Sequence, residues 1–362
     1  MRALVLWGSP TSANLGVRVL GEGAQAVLDR AGFTDVVQYN FGDIGPGFEI
    51  GRRNLLKELV KPGPITHWLS GFDIVFDTGS GDSFADIYGQ QRLQHLCMFR
   101  KLAIKANVTT VLGPQTVGPF DSMLGRSVAR WSLMGVSAVM TRDARSDQAV
   151  KHLAPSTTRL SSTDLVFALP PVNDAVRSGV LVNVSGLLWN PNKHVDYRVY
   201  QRTMMDYLGM LSDRGVSHAL LAHVHGSQNQ LDDDSHAVSS LLSRGFDVES
   251  HFPSNLTSAR ELIGAYEVVV GARMHACLNA LSLGVPSLAL AYSRKFAPLM
   301  QDIGWSHVRD LKSGPSASQL LEHTMQLVDA REEAARVAVY ARSRLDSSLE
   351  KLSETVLKVN HE

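Results

Sequence analysis

Arg273 and His275 stand two residues apart, just beyond the glycine that ends an apolar run, in the stretch "VVVGARMHACLNALSLGVPSLALAYSRKF" (268–296). Nothing acidic follows until Asp302. The β-branched run ends at Gly271, and the spacing beyond it predicts a helix from near Met274 to Gly284. Arg273 and His275 then sit where a strand gives way to a helix N-terminus, whose free N–H groups and dipole favour an anion. A guanidinium adds a planar fork matched to carboxylate or phosphate. An imidazole adds a group that moves protons near neutral pH. The alternative for either residue alone is structural: an Arg paired with a distant carboxylate, or a His satisfied in the core. Both together at a strand's carboxyl end read as function.

Strands and helices must position that pair. "RALVLW" (2–7), "DVVQYNF" (35–41), "DIVFDTG" (73–79), "TTVLGPQ" (109–115) and "SAVMTRD" (137–143) read as buried strands, with helical patterns at 17–32 and 88–107 between them. Such alternation predicts parallel βαβ units and a doubly wound sheet, with ligands beyond the carboxyl ends of the strands. "ALPPVNDAVRSG" (168–179) interrupts the pattern and reads as a linker. The alternation then restarts, with strands at 179–186, 217–226, 266–273 and 285–293 and helices near 196–214 and 232–244. Beyond about 315 the chain turns helical. The expectation is a first α/β domain over 1–170, a second over 171–314 and a helical extension over 315–362, with no sequence repeat between the halves.

Bulk composition agrees with this plan. The 362 residues suit two domains, and 44% hydrophobic against 19% charged residues is a globular balance. Lys+Arg and Asp+Glu are equal at 35 each, so no global field draws the chain to nucleic acid or a membrane. Any anion must be held by a local cluster of cations. Cys97 and Cys277 lie in apolar sequence and read as reduced core thiols. "MRALVLWGSP" reads as a first strand, not a signal segment. With no apolar run of the ~20 residues that a membrane span needs, the expectation is a soluble, cytoplasmic protein.

Several lesser signals remain open. Gly79 and Gly81 in "DTGSGDSFADIYG" (77–89) let backbone approach a ligand, but the third glycine of the dinucleotide fingerprint is missing. Asp82 and Asp86 can hold sugar hydroxyls or cap a helix. Gln115, between two Gly-Pro turns, can bond a ligand or tie down its loop. His223 and His225 alternate as on one strand face, near Asp232, Asp233 and Asp234. That set could suit zinc or manganese, yet the acid run reads better as a solvated helix start, and neither metal nor cofactor is expected. His67, His95, His152 and His194 read as surface or structural.

Taken together, these pieces resemble the polysaccharide pyruvyl transferase family. "GARMHACLNALSLGVPSLALAYSRKF" is similar to its C-terminal signature: Arg-x-His, a helix, Gly-Val-Pro, a strand and Tyr-x-x-Lys. "GPQTVGPF" (113–120), "TRDARS" (141–146), "TDLVFALPP" (163–171) and "LLAHVHG" (220–226) followed by "DDD" resemble further family segments in the family's order, from about 73 to 300. The resemblance implies a glycosyltransferase-B-like pair of Rossmann-like domains with the site in an interdomain cleft, the C-terminal helices packing back on the first domain. It implies transfer of a pyruvyl group from phosphoenolpyruvate to a sugar of a polysaccharide or glycolipid precursor, as a ketal. A lipid-linked acceptor would bring the protein to a membrane surface.

Carried onto this sequence, the resemblance implies His275 as acid/base and Arg273 and Arg142 as an anion clamp with one arginine from each domain. Lys295 is a weaker third cation. Met274, Tyr292, Gln115, Asn14, Asp82 and His223 are expected to bind substrate. After strand one the family has Asn, Gly and then an acid, whereas here Asn14 and Gly16 are followed by Val17. Two other readings stand beside this one: a nucleotide-sugar glycosyltransferase on the same plan, and a non-catalytic binding protein that kept the fold. Residues 271–301 contain no Asp or Glu to hold a ribose, which weighs against the first.

Overall fold

The computed structural model describes residues 1–41, 47–172, 176–227, 229–293 and 296–357. Two six-stranded, wholly parallel sheets organise them, the fold class that the alternating pattern predicts. The first sheet holds β1 (Arg2–Leu6), β2 (Asp35–Tyr39), β3 (Ile74–Asp77), β4 (Thr109–Gln115), β5 (Ala138–Thr141) and β6 (Arg159–Ser161), in the order β2-β1-β3-β4-β5-β6. The second holds β7 (Val180–Asn183), β8 (His218–Leu221), β9 (Glu249–His251), β10 (Val268–Gly271), β11 (Ser287–Ala291) and β12 (Val308–Asp310), in the order β12-β11-β10-β7-β8-β9. Renumbered within its own sheet, that second order is 6-5-4-1-2-3, the Rossmann arrangement.

Central strands are apolar along their length because helices cover both faces. β3 and β10 are buried throughout, and Ala3 to Leu6 of β1 are wholly inaccessible. Each unit packs its own core. Leu4, Leu6, Phe99 and Leu102 share one cluster in the first unit, and Leu181, Leu221, Ile263 and Val269 share one in the second. Asp77, the one acid in β3, is neutralised by Arg100 at 2.8 Å, both side chains being inaccessible.

The division into units departs from three consecutive segments. The first unit takes Met1–Pro10, Leu20–Leu169 and the chain from Arg342 onward; the second takes Thr11–Val19 and Pro170–Ala341. The stretch 315–362 is thus divided between the two units. The helix Ala317–Leu327 belongs to the second unit, where Thr324 bonds Tyr207 at 2.9 Å. Past Arg342 the helix Arg331–Leu352 packs with the first unit, Ser348 meeting Ser162 at 2.8 Å and Arg344 reaching Ser161 at 3.0 Å. The short segment Thr11–Val19 matters more, because it brings Asn14 and Gly16 into the second unit.

Candidate active site

β7 and β10 are neighbours in the second sheet, and the strand order reverses between them. This is the switch point where open α/β sheets bind ligands. Asn183 ends β7, and its Oδ1 accepts the Arg273 N–H at 2.9 Å. Arg273 follows β10 and caps the helix Met274–Ser282. Between them lies Asp234, wholly buried at the start of the helix Asp234–Ser243. Its Oδ1 accepts from Gly186 N (2.8 Å), Arg273 Nε (3.1 Å) and Arg273 Nη2 (2.7 Å). Its Oδ2 accepts from Asn183 Nδ2 (3.1 Å), His223 N (3.0 Å) and Val224 N (3.0 Å). One carboxylate thus ties together the ends of β7, β8 and β10, as a buried charge must be tied if it is to stay ionised.

The first residue of the expected anion clamp is itself held by acids. Arg273 also gives Nη1 to Asp232 at 2.8 Å and Nη2 to the Asp232 carbonyl. Burial opposes its charge, but Asp234 and Asp232 more than offset this, and its pKa is raised. Every guanidinium nitrogen is engaged by Asp232 or Asp234, so Arg273 ties the strand ends together. The run Asp232–Asp234 is no solvated helix start, since Asp233 and Asp234 are buried and Asp233 caps Ser235 N at 2.9 Å. Among the described residues no group of His, Cys, Asp and Glu is placed to hold a metal.

His223 and His225 do not share a strand face. β8 ends at Leu221, and beyond it the chain pairs with the N-terminal segment: Asn14 bridges Val224 antiparallel, Leu15 N–H reaches the His223 carbonyl at 3.2 Å and His225 N–H the Ala13 carbonyl at 3.0 Å. His225 is left exposed. His223 is 2% exposed, and neither ring nitrogen has a hydrogen-bond partner among the described residues. Burial, then the nearby His275 and Arg273, push its pKa well below the ordinary value, so the ring is neutral at neutral pH. Unsatisfied buried nitrogens are costly, and such groups call for an explanation.

His275 lies on the second residue of its helix, and Gly16 lies against its ring. A Cβ on Gly16 would stand 2.8 Å from His275 Nδ1 and 3.0 Å from Asn14 Oδ1, which is itself bonded to Gly16 N at 2.8 Å. Only glycine fits there. Asn14, His223, Arg273, Met274 and His275 therefore come together in the second unit. Tyr292, just past β11, is 8% exposed, with its ring edge-on to His194 at 5.2 Å. His194 lines a cavity of about 510 Å³ with Lys193, Tyr200 and Lys312. Lys295 lies outside the described residues.

The remaining residues named from the sequence belong to the first unit. Arg142 is wholly buried, with Nη1 on Asp164 at 2.8 Å and Nε on Thr116 at 2.9 Å. Its charge is balanced by Asp164, and its buried Nη2 has no partner among the described residues. Gln115 donates Nε2 to the Asp77 carbonyl at 2.8 Å and packs under Gly79, whose φ is +56°. A Cβ at Gly79 would collide with its Oε1, so Gln115 ties down the loop. Asp82 accepts the Tyr88 hydroxyl at 2.6 Å, and Asp86 accepts from Asp121 N, Ser122 N and the Ser122 hydroxyl.

Sequence reading missed Asp234, Asn183 and Asp164 as organisers. Asn183 did leave a signal, a lone amide in the apolar run "VLVNV". Asp234 was hidden among three consecutive acids, and nothing local distinguishes the one that is buried.

The model of the polysaccharide pyruvyl transferase family matches residues 14–294, most of the chain, from Asn14 through the Arg-x-His helix and β11. The chain belongs to that family. Its architecture is also that of solved glycosyltransferase-B-like enzymes. It is similar to the UDP-GlcNAc 2-epimerase of Neisseria meningitidis bound to UDP-GlcNAc, at 12% identity and TM-score 0.60, covering 99% of this chain and 100% of that one. It is similar too to sucrose-phosphate synthase of Thermosynechococcus elongatus, at 12% identity and TM-score 0.53, covering 100% of this chain and 98% of that one. At such identities the likeness shows the shared two-domain fold alone. No helix among the described residues is long and apolar enough to cross a membrane.

Proposed function

We propose that this family member transfers the pyruvyl group of phosphoenolpyruvate to two hydroxyls of a sugar, forming a ketal and releasing phosphate. The observation that carries the reading is the family match over 14–294, joined to an imidazole pair at the switch point of the second sheet. In the reaction, C3 of the enol gains a proton and becomes a methyl group. One sugar hydroxyl then bonds C2, phosphate leaves, and the second hydroxyl closes the ketal. Of the two hydroxyl protons, one balances the proton given to C3 and the other leaves with phosphate. His275 is the acid/base, its ring placed by Gly16 and Asn14. His223, neutral and with both nitrogens unsatisfied, supplies a hydrogen bond to the substrate without adding charge. Asp234 and Arg273 hold the frame on which both histidines stand.

The test is to incubate the purified protein with phosphoenolpyruvate and a panel of sugars, including lipid-linked precursors. Phosphate release is followed together with the mass gain of a ketal. Release that depends on both substrates supports the reading. Turnover that instead requires a nucleotide sugar would replace it with glycosyl transfer, and no turnover by any donor would leave a binding protein.

A further inference from the structure

Arg142 and Arg273 are ion-paired with buried carboxylates, whereas a third arginine that the sequence did not single out has no ion pair among the described residues. Arg92 is half-buried on the first turn of the helix Gln90–Lys105, and its guanidinium lies 4.3 Å above the Phe41 ring centroid. Its one hydrogen bond among the described residues is long, from Nη2 to Ser80 Oγ at 3.4 Å. No carboxylate among those residues pairs with it. The charge of Asp82 acts on it, but that carboxylate is bonded to the Tyr88 hydroxyl at 2.6 Å. Burial lowers the pKa of Arg92, and Asp82 and Tyr88 offset this only in part. Its charge in turn helps to keep His95 neutral, after burial as the main cause.

Three features of this placement are unfavourable for a cation left alone. The side chain is half out of water, no carboxylate among the described residues is ion-paired with it, and it stands at the positive end of a helix dipole. The same helix begins at Gly89 with no side-chain cap and has no acid in its first turn. The location is also telling. β1 and β3 are neighbours in the first sheet while β2 lies beyond β1 and β4 beyond β3, so this is that sheet's switch point. Ser80 belongs to the turn that follows β3, and Phe41 to the chain just past β2, where it stacks on Trp7 at 4.1 Å.

We propose that Arg92 binds an oxyanion of the substrate, a carboxylate or a phosphate, at the switch point of the first sheet, with the Ser80 hydroxyl as a second donor. The identity of that oxyanion rests on the pyruvyl-transfer reading. It comes either from phosphoenolpyruvate, which carries both groups, or from a phosphorylated acceptor. Binding is measured without turnover, by calorimetry with three probes: inorganic phosphate, phosphoenolpyruvate and a sugar phosphate. Arg92→Gln should weaken the wild-type affinity for at least one probe by about tenfold or more, as befits a lost charge-assisted hydrogen bond. Arg92→Lys keeps the charge without the fork and should fall between the two. Its result decides the matter if Arg92→Gln does not fold. Weakening with phosphoenolpyruvate alone names the donor, and weakening with the sugar phosphate alone names the acceptor. Wild-type protein that binds none of the probes, or folded variants that bind all of them as wild type does, would overturn the assignment. A protein that binds phosphate through Arg92 yet transfers no pyruvyl group would leave this inference standing while the proposed function fell.

Discussion

Arg273 and His275 are two residues apart but differ in their surroundings. The guanidinium is ion-paired with Asp232 and Asp234, and the imidazole is the acid/base of the reaction proposed above. His275→Ala should therefore abolish phosphate release while the melting temperature stays close to wild type, and retained turnover would remove the ring from the mechanism. Asp234→Ala leaves the buried Arg273 with only the part-exposed Asp232 as partner and strips three strand ends of their shared acceptor, so it should cost about 3–5 kcal/mol in urea unfolding. Asp232, whose side chain is 29% exposed, should cost clearly less. Gly16→Ala tests the packing from the other side. Its methyl group would press on His275 Nδ1, so activity should drop steeply with a smaller loss of stability, measured by parallel kinetics and denaturation.

Among the elements, the central strands were legible because burial on both faces makes them continuously apolar. β6, β9 and β12 were not. Each is three residues long at or near a sheet edge and partly exposed, so neither length nor alternation marks it. β12 also leads into a histidine pair: His307 Nδ1 lies 2.9 Å from His323 Nε2, with Glu333 beyond at 3.4 Å. Burial, then the charges of Arg309 and His307, lower the pKa of His323 to about 4. The unfolded value is near 6.5. A depressed histidine binds its proton more readily when unfolded, so its contribution to stability is whole above about pH 6.5 and is lost as pH falls toward 4. The melting temperature should decline across that window, and His323→Gln should flatten the decline.

At the scale of the whole molecule, two parallel sheets are completed by pieces distant in sequence. From Arg342 the C-terminal chain supplies Leu345 and Leu352, both buried, to the first unit. Ending the protein at Ala341 would uncover apolar surface there, at roughly 1.5–3 kcal/mol for each such side chain. The truncated protein should bind a hydrophobic dye and melt earlier, while an intact melting curve would show that the segment is dispensable.

The sequence by itself determined the family, the alternation of strands and helices, and the Arg-x-His pair at the carboxyl end of a strand, because these are written in short-range order: periodicity, glycine placement and motif spacing. Which charges are free could not be read that way. Arg142 is 22 residues from Asp164, and Arg273 is 39 from Asp234. Asn14 reaches the His223 segment only because nine N-terminal residues join the second unit. An ion pair or a burial depends on what the fold brings within a few ångströms. The tertiary structure alone decided that Arg142 and Arg273 are ion-paired with carboxylates and that Arg92, among the described residues, is not.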